Sequence, residues 1–471
     1  MVDELALSEA DVSRLVRDVE ARSGILALRV HGVSPWQLVR FEVSLALQRL
    51  SPRKHSAVRA TIAKRLCKGL MQVAKGVGRA EYVCKTFDSA LRVFDNGKYR
   101  DIYFDDILAG SPGGVKISSF DATGYDDILA KAKLPPVFDD TSIIALSAIM
   151  GRLLPFCRHH EVFERIAEIV RVELGLYSFS AARVSKVFNV FWWRVHFYRM
   201  LLKKMGTRSV WVADSGQFAL MRAADQLHIP FTEIQHGVCT NIHPNVLPDD
   251  VAHNARDGLL LPSRFAVYGE HSKSALSGTL LAREGRIQAV GASYIDAARA
   301  IREREWRPDA PIVLTVTAQG VATEQLGSFI GDFLGCCTKE LVVNIKLHPA
   351  YNGDETYYRS KFSSDRRVKI MNGQSDVGTH RLIALSHMHL SISSTCHYDA
   401  LGIGTPTCIL ALETHESVLD IQSNEGVVVV RTAEELANVV AHRNFPAVPE
   451  RVRDHFFQRN YVANMVQMIS S

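Results

Sequence analysis

Between residues 311 and 431 short apolar runs alternate with helical stretches, and few folds accommodate that rhythm. Runs rich in Val, Ile and Leu predict strands at 311–317, 341–347, 367–371, 388–393, 406–410 and 427–431. Helical patterns separate them at 324–333, 355–362, 376–386, 396–401 and 417–422, and another follows at 433–442. Each strand–helix–strand unit crosses over right-handedly, so the units build a parallel sheet with both faces covered. A shorter series precedes it. Strands are expected at 209–213, 231–234, 265–268 and 287–290, with helical patterns at 217–227 and 273–283. The fold class expected is therefore α/β.

Before residue 209 the pattern is mostly helical. It reads as helix up to about residue 75, with turns at His31–Pro35 and near Ser51-Pro52. A strand-like stretch at 101–108 leads into the turn GSPGG, and long helical patterns follow at 140–174 and 180–205. The charged span 296–311, which contains Pro308 and Pro311, is the expected interdomain linker. A last helix is expected at 449–469.

A chain of 471 residues exceeds what one hydrophobic core organises, so two domains are expected. They are residues 1–295, with a helical N-terminal region, and 311–448; residues 449–471 form a terminal helix. Hydrophobic residues make up 47% and charged residues 22%, the balance of a globular protein. The eight cysteines form neither C-x-x-C pairs nor Cys/His clusters, which suits a reducing compartment and gives no zinc site. The N-terminus is charged throughout, and no apolar window reaches the length of a membrane span. A cytoplasmic location is expected.

Charge is unevenly spread. From Val43 to Ala80 every charged residue is basic. The stretch reads either as a solvated helical face or as a patch for anionic lipid or a polyanionic acceptor, hence peripheral on the inner membrane. Nucleic acid is not expected as a partner, because no nucleic-acid motif accompanies the charge. The aromatic stripe Phe188, Phe191, Trp192, Phe197 and Tyr198 reads as core, with Arg194, Lys203 and Lys204 leaving membrane contact open.

In open parallel sheets ligands bind beyond the C-terminal strand ends. Three segments place chemistry there. One strand ends in Ser393-Ser394-Thr395 and a helix begins at once, a setting suited to phosphate; Asp399, one turn on, could reach a ribose hydroxyl. The strand NIKLHP delivers Lys346 and His348 to its tip, where Pro349 stops the ladder. His348 there could donate a hydrogen bond to a departing phosphate. In TEIQHGVCTN, Gly237 frees the backbone after His236, a candidate general base facing any cleft. Glu233 is equally a partner orienting that ring or a structural residue. Among weaker candidates, the adjacent carboxylates Asp105-Asp106, Asp126-Asp127 and Asp139-Asp140 read as caps, and the sequence has no D-x-D triplet.

Gln235-His236-Gly237, Lys346-x-His348-Pro349 and Ser393-Ser394-Thr395 followed by Gly404-Thr405-Pro406, in this order, resemble a bacterial group. It comprises the GT-B enzymes of capsule and surface-polysaccharide assembly, including capsular sialyl- and Kdo-transferase-like proteins and teichoic-acid glycerophosphotransferases. Val290-Gly291 with Asp296 resembles the segment closing the first domain there, and Gly32–Trp36 with Arg40 an N-terminal element. The resemblance implies two Rossmann-like domains facing a central cleft, with the last helix crossing back to the first. The donor would lie against Lys346, His348, Pro349, Ser393, Ser394, Thr395 and Asp399. His236 with Glu233 would be catalytic, and Gln235, Gly237 and Asp214 would line the cleft. Many relatives carry glutamate where Asp399 stands.

The function so implied is metal-independent, cofactor-free transfer of a sugar from a nucleotide, with CMP one candidate, to a hydroxyl of a surface glycan or lipid-linked acceptor. The alternatives are a nucleotide-sugar epimerase or polyol-phosphate transferase of the same fold, and a non-enzymatic assembly subunit on a membrane surface.

Overall fold

A computed structural model of the chain describes residues 7–49, 66, 69, 71–72, 78–87, 91–95, 98–119, 130–237, 239–320, 322–348, 354–372 and 377–470. Its strands in chain order are β1 (Tyr82–Phe87), β2 (Leu91–Asp95), β3 (Lys98–Asp101), β4 (Gly114–Ser119), β5 (Phe138–Asp139), β6 (Ser209–Val212), β7 (Phe231–Ile234) and β8 (Arg264–Val267). There follow β9 (Ile287–Ala289), β10 (Ile312–Ala318), β11 (Leu341–Leu347), β12 (Val368–Met371), β13 (Met388–Ser391), β14 (Thr407–Leu410) and β15 (Val427–Val430).

They form two parallel sheets, β5-β4-β1-β6-β7-β8-β9 and β12-β11-β10-β13-β14-β15, with β2 and β3 as a separate antiparallel hairpin. In both sheets the order reverses beside the first strand of the unit, the mark of a doubly wound sheet. Two such Rossmann-like units make the GT-B architecture. The six strands of the second sheet form where the apolar runs place them. The inner strands β10, β11, β13 and β14 are buried on both faces, so an uninterrupted apolar run is the sequence such a strand requires, while the edge strands β12 and β15 are mostly half-buried.

The first sheet extends further upstream than the sequence suggests. β1 and β4 carry Lys85 and Lys116 in mid-strand, and both lysines are buried. Lys85 lies 2.5 Å from Asp140, which also accepts from Tyr198 Oη at 2.6 Å; Lys116 pairs with Asp105. Those pairs let charged residues sit inside the sheet and erase the apolar signal of the strands. The stretch 101–108 is not a strand. Asp101 ends β3, and its carboxylate accepts from Tyr103 N and Phe104 N at 2.9 and 3.1 Å, turning the chain into the helix Asp105–Gly110.

The helical N-terminal region holds the helices Glu9–Ser23 and Pro35–Leu47. The pattern at 140–174 divides into Thr141–Leu153 and Glu161–Glu173, while Ala181–Met205 is continuous. The span 296–311 belongs largely to a helix, Ser293–Glu305, which bridges the two sheets. Its Arg302 donates to Ala384 O, Ser386 O and Thr405 Oγ1 at 2.9–3.0 Å.

The chain's last segment is two helices, Glu450–Phe456 and Tyr461–Ser470. Three glycines admit the stretch leading into and through the break between them. An added Cβ would stand 2.4 Å from His455 O at Gly269, 2.0 Å from Gln458 O at Gly291 (φ +91°) and 2.4 Å from the Phe457 ring at Gly402. Arg299 binds this stretch through Arg453 O and Phe457 O, both at 2.8 Å. Tyr461 then donates its hydroxyl to Tyr103 O at 2.9 Å and its amide to Asp296 at 2.8 Å. Tyr461, Met465 and Met468 share one buried cluster with Tyr82, Phe104 and Trp211 of the first unit and Leu401 and Ile403 of the second.

Candidate functional site

His236 stands just past the end of β7. Its neighbour Gln235 is a brace: its amide donates to Gly237 O at 2.8 Å and its side-chain oxygen accepts from Tyr268 N at 2.9 Å. That clamp ties the loop after β7 to the end of β8 and fixes where His236 emerges. Asp214, beyond β6 and held by Gln217 Nε2 at 2.6 Å, is in electrostatic contact with His236. Burial raises the Asp214 pKa, and His236, Gln217 and Lys85 pull it back. Glu233 faces the same region, but burial, reinforced by the Asp214 charge, pushes its carboxyl up to about 8. Glu233 therefore holds its proton at neutral pH, which leaves Asp214 as the anionic neighbour of the imidazole.

A pocket opens beside these groups, lined by Glu233, His236, His243, Phe218, Leu260 and Phe265 among others. Burial, then the positive neighbours His236 and Arg40, pulls His243 down to about 4, so it is neutral. The N-terminal helices set this wall. Arg40, buried, bonds Glu20 Oε1 at 2.7 Å together with Trp36 Nε1, and reaches across to Val246 O at 3.3 Å and to Pro244 O. The GVSPW element and Arg40 thus position the pocket loop from behind.

On the second sheet the loops after β10, β13 and β14 meet at Ser393. Its hydroxyl contacts Gln319 Oε1 and Thr414 Oγ1, each at 3.1 Å. Ser394 caps the helix Cys396–Ile403 by accepting from Cys396 N at 3.2 Å. Thr395 is exposed at the helix entrance. Gly320 (φ +73°) and Ala322 (φ +52°) turn the chain into the helix Thr323–Cys336, which has no side-chain cap at its N-terminus. Two helix N-termini thus open at one sheet edge, a field that favours an anion.

His348 is exposed at the tip of β11, its amide bonded to Ala318 O at 3.0 Å. Lys346 is buried, its ammonium donates to Asn372 O at 2.7 Å, and burial lowers its pKa to about 8. This lysine braces the neighbouring strand end. Pro349 lies outside the described residues, as do Asp126-Asp127, the turn at Ser51-Pro52 and most of the basic 43–80 stretch. Asp399 lies 3.1 Å from His380 Nε2, within the second unit.

Tyrosines that the sequence reading missed join the two edges. Tyr103 donates its hydroxyl to His236 O at 3.0 Å and is in electrostatic contact with Tyr268. Tyr268 meets Tyr294 edge-on at 6.3 Å, and the Tyr294 ring lies 4.6 Å from His380, the partner of Asp399. Burial, then the Asp399 charge, holds the Tyr294 phenol well above its ordinary pKa, so it stays a hydrogen-bond donor. Tyr268 directly follows β8, and the strand-end rule that singled out His236 would have found it. Tyr103 and Tyr294 carry no such signal, because the hairpin and helix that present them follow no periodic pattern.

No family model matches the sequence, and no curated protein does. Solved structures similar in chain course include the UDP-GlcNAc 2-epimerase of Neisseria meningitidis bound to UDP-GlcNAc, at 15% identity and a TM-score of 0.46, covering 83% of this chain and 98% of that one. MurG of Acinetobacter baumannii is similar at 10% identity and 0.45, over 83% and 99%. The wall teichoic acid polymerase TagF is similar at 9% and 0.46, over 88% and 98%. At these values none of them speaks to what this chain binds or does.

Proposed function

We propose that the chain is a glycosyltransferase that takes a sugar from a nucleotide donor and passes it to a hydroxyl of a surface glycan or lipid-linked acceptor. The observation that carries this reading is the electrostatic contact of His236 with Asp214 on one sheet edge, linked through Tyr103, Tyr268 and Tyr294 to the His380–Asp399 contact of the second unit. In this scheme residues 1–295 form the acceptor side, 311–448 the donor side, and 449–471 the return segment. The imidazole of His236 removes the acceptor proton, with Asp214 stabilising the imidazolium. The diphosphate or phosphate of the donor lies at the N-termini of the helices Thr323–Cys336 and Cys396–Ile403, with Thr395 and His348 as donors, so that helix dipoles stabilise the leaving group without a metal. Asp399, oriented by His380, receives a ribose hydroxyl.

A thermal-shift screen against CMP-, CDP-, UDP- and GDP-linked compounds should reveal the base, since a ligand stabilises by RT ln(1 + [L]/Kd). With that donor, nucleotide release should require acceptor and persist in chelator. His236→Ala and Asp214→Asn should each lower kcat by about 100-fold or more with an unchanged melting curve. Donor conversion without acceptor would move the assignment to epimerisation. Full turnover by His236→Ala would end it.

A further inference from the structure

The helices Thr141–Leu153 and Ala181–Met205 pack against each other, and their free end carries apolar side chains that no described residue covers. Leu153 is 65% exposed, Leu154 58% and Phe156 50%, and Met200, further along the long helix, is 58% exposed. Trp193 lies among them, its ring 5.0 Å from Phe156 and its indole N–H donating to Leu154 O at 2.8 Å. Trp193, Phe197 and Met200 continue one stripe along the long helix at i, i+4 and i+7. Single exposed apolar residues are ordinary on a surface; a contiguous group of large ones is not.

Charge around the group is predominantly positive. Residues 141–160 and 181–208 contain no aspartate and no glutamate, but include Arg152, Arg158, Lys186, Arg199, Lys203 and Lys204. Arg152, Arg158 and Lys186 are exposed beside the tip, whereas Arg199, Lys203 and Lys204, also exposed, lie toward the Met205 end of the long helix. Of the nearby carboxylates, Glu42 pairs with Arg183 at one end of the long helix, the buried Asp140 pairs with Lys85, and Asp139 binds Thr141, while Glu161 is exposed at the start of the next helix.

Position gives the face its meaning. Met205 accepts from Ala80 N at the entry to β1, while Tyr198 reaches Asp140, which pairs with Lys85 midway along β1. Gly151 lies against Val190, two more turns back along the same helix. At ~1.5 Å per residue the helix rises roughly 12 Å between Tyr198 and Val190. The tip bearing Leu153, Leu154 and Phe156 therefore projects past the C-terminal edge of the first sheet, the edge on which His236 stands.

We propose that this tip docks on an anionic lipid bilayer, with Leu153, Leu154 and Phe156 entering the acyl boundary, Trp193 at the headgroup level and the surrounding Arg and Lys side chains on lipid phosphates. Charge complementarity selects this occupant: a second copy of the chain would bring a like-charged face against it. The inference is independent of the reaction assigned to the cleft.

The test uses the full chain in flotation with vesicles of phosphatidylcholine alone and of phosphatidylcholine with phosphatidylglycerol. Wild type should float with the anionic vesicles and not with the neutral ones, and less so as salt rises. Leu153→Glu/Phe156→Glu should lower the bound fraction by at least about tenfold, and Arg152→Glu/Arg158→Glu should also lower it. Val172→Glu, at a side chain 73% exposed on a neighbouring helix, should bind like wild type. Melting curves and nucleotide stabilisation should match across all variants, since each replaced side chain is exposed. Undiminished flotation of Leu153→Glu/Phe156→Glu overturns the proposal. So does a dimer by light scattering that these substitutions dissociate, because the face would then be a self-interface.

Discussion

Glu233 and His243 stand in the same pocket wall as His236, yet burial drives their protons in opposite directions: the acid is kept neutral by holding one, the base by losing one. The pocket behind His236 is therefore uncharged at neutral pH apart from the Asp214–His236 contact. A pH signature follows. An unfolded glutamate ionises near 4.5, whereas native Glu233 keeps its proton to about 8. Between those values the native state binds more protons than the unfolded chain, so stability falls as pH rises through that window. The shift is worth at most roughly 5 kcal/mol. Glu233→Gln should flatten the decline in urea midpoint between pH 5 and 8 and exceed wild type increasingly toward pH 8. An identical pH dependence in both proteins would rule out a buried, protonated Glu233. The sequence could point to His236 from its strand end and following glycine, but not choose between Glu233 and Asp214. Strand alternation says which face a side chain takes, not which carboxyl keeps its charge.

Elements were legible in proportion to how apolar their interiors are. β10, β11, β13 and β14 read directly because each is buried along its length, and the half-buried edge strands β12 and β15 follow from their place in the same alternation. β1 and β4 did not, because a lysine paired with a carboxylate distant in sequence looks locally like a surface residue. The terminal helix was expected whole, and it breaks where Gly269 and Gly291 receive its backbone and Gly402 the Phe457 ring. Gly291 is the most demanding of these: its left-handed φ of +91° and the 2.0 Å approach to Gln458 O leave no room for a side chain. Gly291→Ala should cost ~2–4 kcal/mol, read as a lower urea midpoint, with the loss falling on both units together. A neutral outcome would mean that the returning segment is not seated there.

At the scale of the whole molecule, the two sheets and their helices follow from periodicity, whereas the ligand-facing surface follows only in part. The Ser393-Ser394-Thr395 turn and the His348 tip lie on the edge expected of them, but Ser393 and Lys346 are engaged as braces between loops and strand ends. Partners from elsewhere in the chain decide such roles, and spacing within one segment carries no trace of them. The return of Tyr461, Met465 and Met468 to the first unit has a consequence for biosynthesis. A ribosome completes the β1–β9 sheet long before it makes the residues that close the underside of that sheet. The early product must wait, apolar surface open, through the synthesis of the entire second half. A fragment of residues 1–310 should aggregate when expressed alone and regain solubility when a peptide of residues 449–471 is supplied with it. Native behaviour of that fragment by itself would show that the late-made tail is dispensable to its folding.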